Sequence, residues 1–219
     1  GRVASTEILF SIADASTFGF SRPSSLWIAG VDDYVALEAR LAEIASPRTW
    51  VRWARSWDEP SVDNVLSTLR LKTILGEFEY RFAAGDNIDM EPAWVGQNIA
   101  KQTFPIIGEI WCNRAVFDDL TAALAEVEAA GLAGVIDVGD TRRYGGCWGP
   151  RRIRGTSGGA VSRHAWGLAV DINPSTNRWG TPPTLDHRVV EIFRANGFAW
   201  GGTWTRPDGM HFEWIGAAT

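Results

Sequence analysis

Apolar residues recur at helical spacing in several parts of the chain. The clearest case is 115–130, where apolar positions recur every three or four residues and Gly131 follows as a helix-ending residue. This stripe consists of Val116, Leu120, Ala123, Leu124 and Val127. The same spacing predicts further helices that begin near residues 32, 61, 92 and 184, the third of them reaching about residue 100.

Short apolar or alternating segments between these helices predict strands. They lie near 49–57, 78–82, 106–112, 134–139, 168–173, 198–200 and 210–214. Helices and strands are mixed along the chain, which is typical of an α+β fold. A polar, glycine-containing break at 83–87 predicts a small α+β N-terminal region over 1–85, in which we find no chemistry, and a second domain over 86–219.

The segment 162–171 brings a histidine and an aspartate together. In a strand over 168–173, Asp171 lies on the face opposite Leu168 and Val170. Gly167 permits backbone angles that end one segment and begin another, so His164 is predicted on a turn that folds back toward Asp171. One imidazole and one carboxylate are two of the three protein ligands of a typical catalytic zinc site.

The segment 207–214 supplies a second set of candidates. A Pro-Asp-Gly turn precedes a strand whose polar positions are His211 and Glu213. His211 is the third candidate ligand, and Asp208 in the turn can hold a water near the metal. Glu213 lies on the face of His211, about 7 Å along the strand, as an alternative base or as a carboxylate that fixes a ligand histidine. A core histidine paired with a buried carboxylate explains either segment alone, but the two together favour a metal site.

The long segment 140–163 is rich in Gly and contains six arginines, although the protein is acidic with a net charge of -5. Long loops in compact domains are commonly functional, and a guanidinium binds a peptide carboxylate through two hydrogen bonds. Solvated loop charges are the alternative for most of these arginines. The negative net charge argues against general nucleic-acid binding.

Composition leaves several points open. Cys112 and Cys147 lie in different segments, so they are either a disulfide of an exported protein or two buried thiols. Most of the 12 tryptophans are expected in the core, and exposed ones could stack on sugars. The chain of 219 residues has no apolar run as long as a membrane span. It starts at Gly1, so we treat it as trimmed and leave a removed signal or anchor open.

The two chemical segments carry a resemblance to a known family. The first reads Ser-x-His-x-x-Gly-x-Ala-x-Asp over 162–171, and the second reads Asp-x-x-His over 208–211. This pattern resembles VanY-type D-alanyl-D-alanine carboxypeptidases and the L-alanyl-D-glutamate endopeptidases of phage endolysins, in the lysostaphin/D-Ala-D-Ala peptidase/hedgehog group. The likeness extends over about 75–214. It implies a small antiparallel sheet flanked by helices, with the zinc site on the sheet.

The resemblance implies a role for each candidate residue. His164, Asp171 and His211 are the implied ligands of Zn²⁺, and Asp208 is the implied catalytic base. Carboxypeptidases of the group commonly have Glu at the position of Asp208, whereas the endolysin enzymes have Asp. The family's Gly-Cys-aromatic-x-x-Arg pattern selects Arg151 to orient the substrate or polarise its carbonyl. The further candidates for substrate contact are Ser162, Arg143 and Trp204, with Arg142 as another alternative to Arg151.

These residues lead to one preferred function and two alternatives. The preferred function is a zinc metallopeptidase that hydrolyses an amide bond in peptidoglycan stem peptides, as a carboxypeptidase or as an endopeptidase. The alternatives are a non-catalytic, zinc-containing module that binds the cell wall, and a structural domain without zinc. The preferred function predicts a peptidoglycan peptide as partner, no nucleic-acid partner and no stable membrane span. It also predicts a monomer that is either an extracytoplasmic enzyme or a phage lysin.

Overall fold

A computed structural model describes residues 63–139, 146–153 and 160–216. These residues all belong to one compact unit, Pro60–Thr219. The boundary predicted near residue 85 falls within this unit. Leu71 and Phe78, which precede that boundary, belong to the same hydrophobic core as Trp94 and Trp166, which follow it. The helix predicted near residue 32 and the strand at 49–57 lie outside the described residues, and the role of 1–85 stays a prediction.

The described part of the chain alternates short helices and short strands. The helices are α1 (Thr68–Leu75), α2 (Pro92–Asn98), α3 (Phe117–Ala129) and α4 (His187–Ala195). The strands are β1 (Tyr80–Phe82), β2 (Ile88–Met90), β3 (Ile99–Phe104), β4 (Gly108–Asn113), β5 (Ala169–Asp171), β6 (Phe198–Trp200) and β7 (His211–Trp214). None of the described helices has the length and apolar character that crossing a bilayer requires.

The strands pair into three small antiparallel sheets, so the mixed α+β architecture is confirmed. Strand β1 pairs with β2 and β3 pairs with β4, while β7 lies between β5 and β6. In this third sheet Asp171 is directly opposite His211, and Ala169 is opposite Glu213. Residues directly opposite in an antiparallel pair have Cβ atoms about 5 Å apart. The register therefore brings two predicted ligands together.

One part of the core lies between this sheet and helix α4, and α3 packs against α4. The predicted stripe of α3 is buried, and α4 buries Val189, Val190 and Phe193. The ring of Phe193 packs against Phe212 of β7 with centroids 4.4 Å apart. Phe212 alternates with His211 and Glu213 along the strand, so the apolar face of β7 is held by the helices while the polar face carries the candidate chemistry.

The strand predicted at 134–139 is wrong. Residues Ala133–Val135 form a 3-10 turn, and the backbone after it bonds to a side chain rather than to a strand. The amide of Asp137 donates to Asn173 Oδ1 at 2.7 Å, and Asn173 Nδ2 donates to the Val135 carbonyl at 2.7 Å. Because a single asparagine satisfies both groups, no neighbouring strand is needed there.

Three predicted helix boundaries are also wrong. Helix α2 ends at Asn98 rather than near residue 100, because residues 99–104 form strand β3, which pairs with β4. The helix predicted from residue 61 begins only at Thr68, where Ser67 accepts a hydrogen bond from the Arg70 amide at 3.1 Å. The last helix has its cap at Asp186 and begins at His187, two residues later than the predicted cap at Thr184 implies. Local capping groups decided the two helix starts.

The two cysteines form a disulfide, which was one of the two alternatives from the sequence. Cys112 lies in β4, and Cys147 lies four residues before Arg151. Their Cα atoms are 5.2 Å apart. Both residues are buried. The bond therefore ties the β3–β4 hairpin to residues next to the candidate site.

Candidate metal centre

A tight turn presents His164. The hydroxyl of Ser162 accepts a hydrogen bond from the His164 amide at 3.3 Å, and the Gly167 amide donates to the His164 carbonyl at 3.0 Å. Gly167 has φ +68°, and a Cβ there would lie 2.7 Å from the backbone nitrogen of Asn113. Only glycine accommodates both the backbone angle and this close approach. The predicted turn at Gly167 is confirmed.

The His164 ring is held by a backbone carbonyl. Its Nδ1 lies 3.0 Å from the carbonyl oxygen of Cys147, so Nδ1 is the donor and carries the proton. Its Nε2 then has a free lone pair, and this atom lies 3.2 Å from Asp171 Oδ1. His164 is buried. The ring is therefore oriented to ligate through Nε2.

The His211 ring approaches the same carboxylate with its other nitrogen. Its Nδ1 lies 3.1 Å from Asp171 Oδ1, and its Nε2 lies 3.5 Å from Glu213 Oε2. The two imidazole rings have centroids 5.1 Å apart. One ligand atom from each of His164, Asp171 and His211 lies within 4.8 Å of the others. The predicted group of three is thus brought together.

Burial and close charges shift the ionisation of this cluster. Burial alone would raise the pKa of Asp171, but the neighbouring imidazoles of His164 and His211 outweigh burial and lower that pKa. Burial alone would lower the pKa of His211, but its bonds to Asp171 and Glu213 raise that pKa to about 10. Asp171 is therefore ionised, and a carboxylate must be ionised to bind a metal ion.

Asp208 lies beside the cluster in the turn before β7. Its amide donates to the Gly201 carbonyl at 2.8 Å, and its own carbonyl accepts from the His211 amide at 3.1 Å. Its Oδ1 is buried and has no hydrogen-bond partner among the described residues. Burial and the charge of Asp171 raise the pKa of Asp208, against the opposing charges of His211, His164 and Arg151. A buried carboxylate oxygen without a partner is typical of a group that serves a bound ligand or reactant.

The residues present fit a zinc ion. Two imidazole nitrogens and one carboxylate oxygen are the donor set of a three-ligand catalytic zinc site, which leaves one coordination position open. Asp208, whose Oδ1 has no partner among the described residues, would be a further carboxylate beside an ion held there. His164, Asp171 and His211 are accordingly the residues that would hold zinc.

The other predicted residues have different surroundings. Arg151 forms a backbone bridge with Asn87, and its charge acts on Asp208. Ser162 is buried within the His164 turn, while the half-buried Trp204 has its ring centroid 5.3 Å from that of His211. Substrate binding by these residues stays a prediction. Arg142 and Arg143 lie outside the described residues.

Sequence reasoning missed an aspartate that supports the site from a distance. The buried Asp63 accepts from Arg194 Nε at 2.9 Å, from the Thr203 hydroxyl at 2.6 Å and from the Trp200 amide at 2.8 Å. It therefore fixes the segment that leads to Asp208. No local pattern marks this residue, because its partners lie more than 130 positions away in the chain.

Comparison with known proteins bears on the same part of the chain. Neither curated proteins nor solved structures give a match. Residues 155–214 match a family model described as D-alanyl-D-alanine carboxypeptidase, and this segment contains all three candidate ligands and Asp208. The match supports a peptidase. The predicted resemblance is confirmed over these residues, which are similar to the VanY-like zinc peptidase family.

Proposed function

We propose that this protein is a zinc-dependent peptidase that hydrolyses an amide bond in peptidoglycan stem peptides. The observation that carries the proposal is the convergence of His164, Asp171 and His211 ligand atoms within 4.8 Å, inside the segment that matches the peptidase family. A zinc ion held by these residues supplies Lewis acidity, which polarises an amide carbonyl and acidifies water.

Asp208 acts as the general base and then as the general acid. Its raised pKa moves the carboxyl toward the range in which it can both accept and release a proton near neutral pH. It accepts the proton of the attacking water and gives it to the nitrogen of the departing amine. Its unpaired, buried Oδ1 is available for this transfer.

Arg151 acts on the substrate. Its positive charge is close enough to Asp208 to lower the pKa of that carboxyl. A guanidinium at this place stabilises negative charge that develops on the scissile carbonyl oxygen, or it binds the terminal carboxylate of the peptide. Trp204, packed beside His211, offers an apolar surface for a peptide side chain.

The bond cleaved is proposed to be D-Ala-D-Ala, as the description of the matching family suggests. The second candidate is the L-Ala-D-Glu bond, because Asp208 stands where the endolysin-type enzymes have Asp. We place the enzyme outside the cytoplasm, since its substrate lies there and its disulfide is typical of an oxidising compartment.

The test is incubation of zinc-loaded protein with a defined stem pentapeptide, followed by mass spectrometry. Release of one D-Ala identifies the carboxypeptidase, and separation of L-Ala from the remaining peptide identifies the endopeptidase. Stoichiometric zinc without any product would instead support the non-catalytic module that binds the cell wall. A protein that binds no zinc in an elemental assay would leave only the structural domain.

A further inference from the structure

The outer nitrogen of His211 faces a buried carboxylate. Glu213 is only 3% exposed, and its Oε2 lies 3.5 Å from His211 Nε2. Because the two residues are two positions apart in β7, their side chains project from the same face of the strand. A carboxylate at this place keeps the proton on Nε2 and leaves Nδ1 to face Asp171.

Glu213 in turn is held by an arginine from the other motif. The Nε of Arg163 donates to Glu213 Oε1 at 2.8 Å, and the arginine side chain is 16% exposed. Its two remaining nitrogens donate to the Leu66 carbonyl at 2.8 Å and to the Thr68 hydroxyl at 3.2 Å. The guanidinium is therefore fixed at three points, and one carboxylate oxygen of Glu213 stays directed at His211.

We propose that Arg163 is a positioning residue that acts on the metal ligand His211 through Glu213. A buried carboxylate is costly unless a cation compensates its charge, and Arg163 provides that charge. It occupies Oε1 and thereby restricts the rotation of the carboxylate, so that Oε2 remains with the imidazole. Arg163 immediately precedes His164, so the segment that carries one candidate ligand also supports the other, His211.

A purely structural role is the competing explanation, because Arg163 also ties residues 66–68 to β7. The two explanations predict different measurements. A structural tie affects the stability of the metal-free fold alone, whereas a positioning residue also changes metal affinity and the ligand geometry. The inference rests on the metal site of the proposed function, but not on which peptide bond is cleaved.

The experiment compares Arg163→Met, Arg163→Lys and Glu213→Gln with the unchanged protein. Zinc affinity is measured by competition with a chromogenic chelator, geometry by the visible absorption of the Co²⁺ form, and stability by urea unfolding of metal-free protein. We expect Arg163→Met to weaken zinc binding by about 10- to 100-fold and to alter the Co²⁺ spectrum, since residues that orient metal ligands typically contribute this much. Arg163→Lys, which keeps the charge, should recover part of the affinity.

A double variant and a matched control complete the test. If Arg163 acts through Glu213, Arg163→Met combined with Glu213→Gln should weaken zinc binding little more than the stronger single change. The control is Arg188→Met, because Arg188 also pairs with a carboxylate, that of Asp186 at 2.6 Å, but is 69% exposed on helix α4. We expect it to leave zinc affinity and the Co²⁺ spectrum unchanged.

Wild-type zinc affinity and Co²⁺ spectrum in Arg163→Met, with lower stability alone, would overturn the inference. Should that variant not fold, wild-type affinity in both Arg163→Lys and Glu213→Gln would overturn it equally. In these cases the unchanged protein still binds zinc, so the proposed function survives. Absence of zinc binding by the unchanged protein would instead overturn both.

Discussion

The two histidines of the cluster use different ring nitrogens. His164 presents Nε2 because its Nδ1 donates to the Cys147 carbonyl, and His211 presents Nδ1 because its Nε2 faces Glu213. Both orientations are thus set by the partner of the nitrogen that does not face Asp171. The protein itself thus orients both candidate ligands, and preorganisation of this kind favours tight binding.

The three histidines of the chain provide an internal comparison of metal binding. We expect His164→Ala and His211→Ala each to abolish stoichiometric zinc binding, because two ligands do not make a stable catalytic site. His187→Ala should bind zinc normally, since His187 is 76% exposed and pairs with Glu191 on the surface. Elemental analysis after dialysis measures the result. Full zinc content in either ligand variant would contradict the assignment.

Replacement of Asp208 separates catalysis from metal binding. We expect Asp208→Asn to lower kcat by about 10²- to 10⁴-fold, because the amide cannot accept the proton of water. Zinc content should stay at the wild-type level, since Asp208 is not one of the three clustered ligands. Turnover of the stem peptide and elemental analysis are measured on the same sample. An unchanged kcat would remove Asp208 from the mechanism.

At the scale of elements, the site depends on the contact between the His164 turn and the β3–β4 hairpin. The Asn113 amide donates to the Gly167 carbonyl at 2.9 Å, and Asn113 Nδ2 donates to the Trp166 carbonyl at 3.0 Å. The hairpin therefore supports the turn directly, although it lies outside the segment that matches the family.

Gly167→Ala tests this close approach. The substitution should destabilise the protein by about 2 to 4 kcal/mol, because it combines an unfavourable positive φ with a clash against backbone. The matched control is Gly96→Ala on helix α2, where a Cβ meets no atom within 4 Å. That change should be neutral or stabilise by up to about 1 kcal/mol. Urea unfolding measures both, and equal stability of the two variants would contradict the prediction.

The disulfide links the same hairpin to the carbonyl that holds His164. We expect the double change Cys112→Ser and Cys147→Ser to lower stability by about 2 to 4 kcal/mol. Zinc affinity should fall by about tenfold, because the Cys147 carbonyl is less well held. Addition of a reductant should affect the wild type in the same direction and leave the double variant unchanged. If the reduced wild-type protein kept its zinc affinity, the Cys147 carbonyl would be held in place without the disulfide, contrary to the prediction.

At the scale of the whole molecule, Asp63 connects the start of the described chain to its last helix and to the segment before Asp208. Burial alone would raise the pKa of Asp63, but its hydrogen bonds to Arg194, Thr203 and the Trp200 amide outweigh burial and lower that pKa below its ordinary range. A carboxyl whose pKa is lower in the folded state adds stability above its unfolded pKa, and this contribution is lost as the pH falls through the folded pKa.

Asp63→Asn should reveal this contribution. At pH 7 we expect a loss of about 3 kcal/mol, because Arg194 is left without its buried partner charge. The difference between wild type and variant should shrink as the pH falls below about 4, because the carboxyl of the unfolded wild-type chain then takes up a proton while the folded one stays ionised. Urea unfolding between pH 7 and pH 3 measures it. A difference that does not change with pH would contradict the assigned role of the Asp63 charge.

Local sequence alone determined which residues are candidates for the chemistry. Spacing around Gly167 and the alternation of 210–214 identified His164, Asp171 and His211, and helical periodicity identified the buried stripe of α3. These features depend on residues only a few positions apart, so short patterns report them. The strand predicted at 134–139 was wrong for the complementary reason: Asn173, about 36 positions away, satisfies that backbone.

Only the tertiary structure decided how the candidates meet. The register that sets Asp171 opposite His211, the Cys112–Cys147 bond, the Arg163–Glu213 pair and the partners of Asp63 all join residues at least 35 positions apart. Such contacts arise from packing and strand pairing, and no local periodicity encodes them. The identities of the candidate ligands therefore come from the sequence, whereas their convergence on one point comes from the fold.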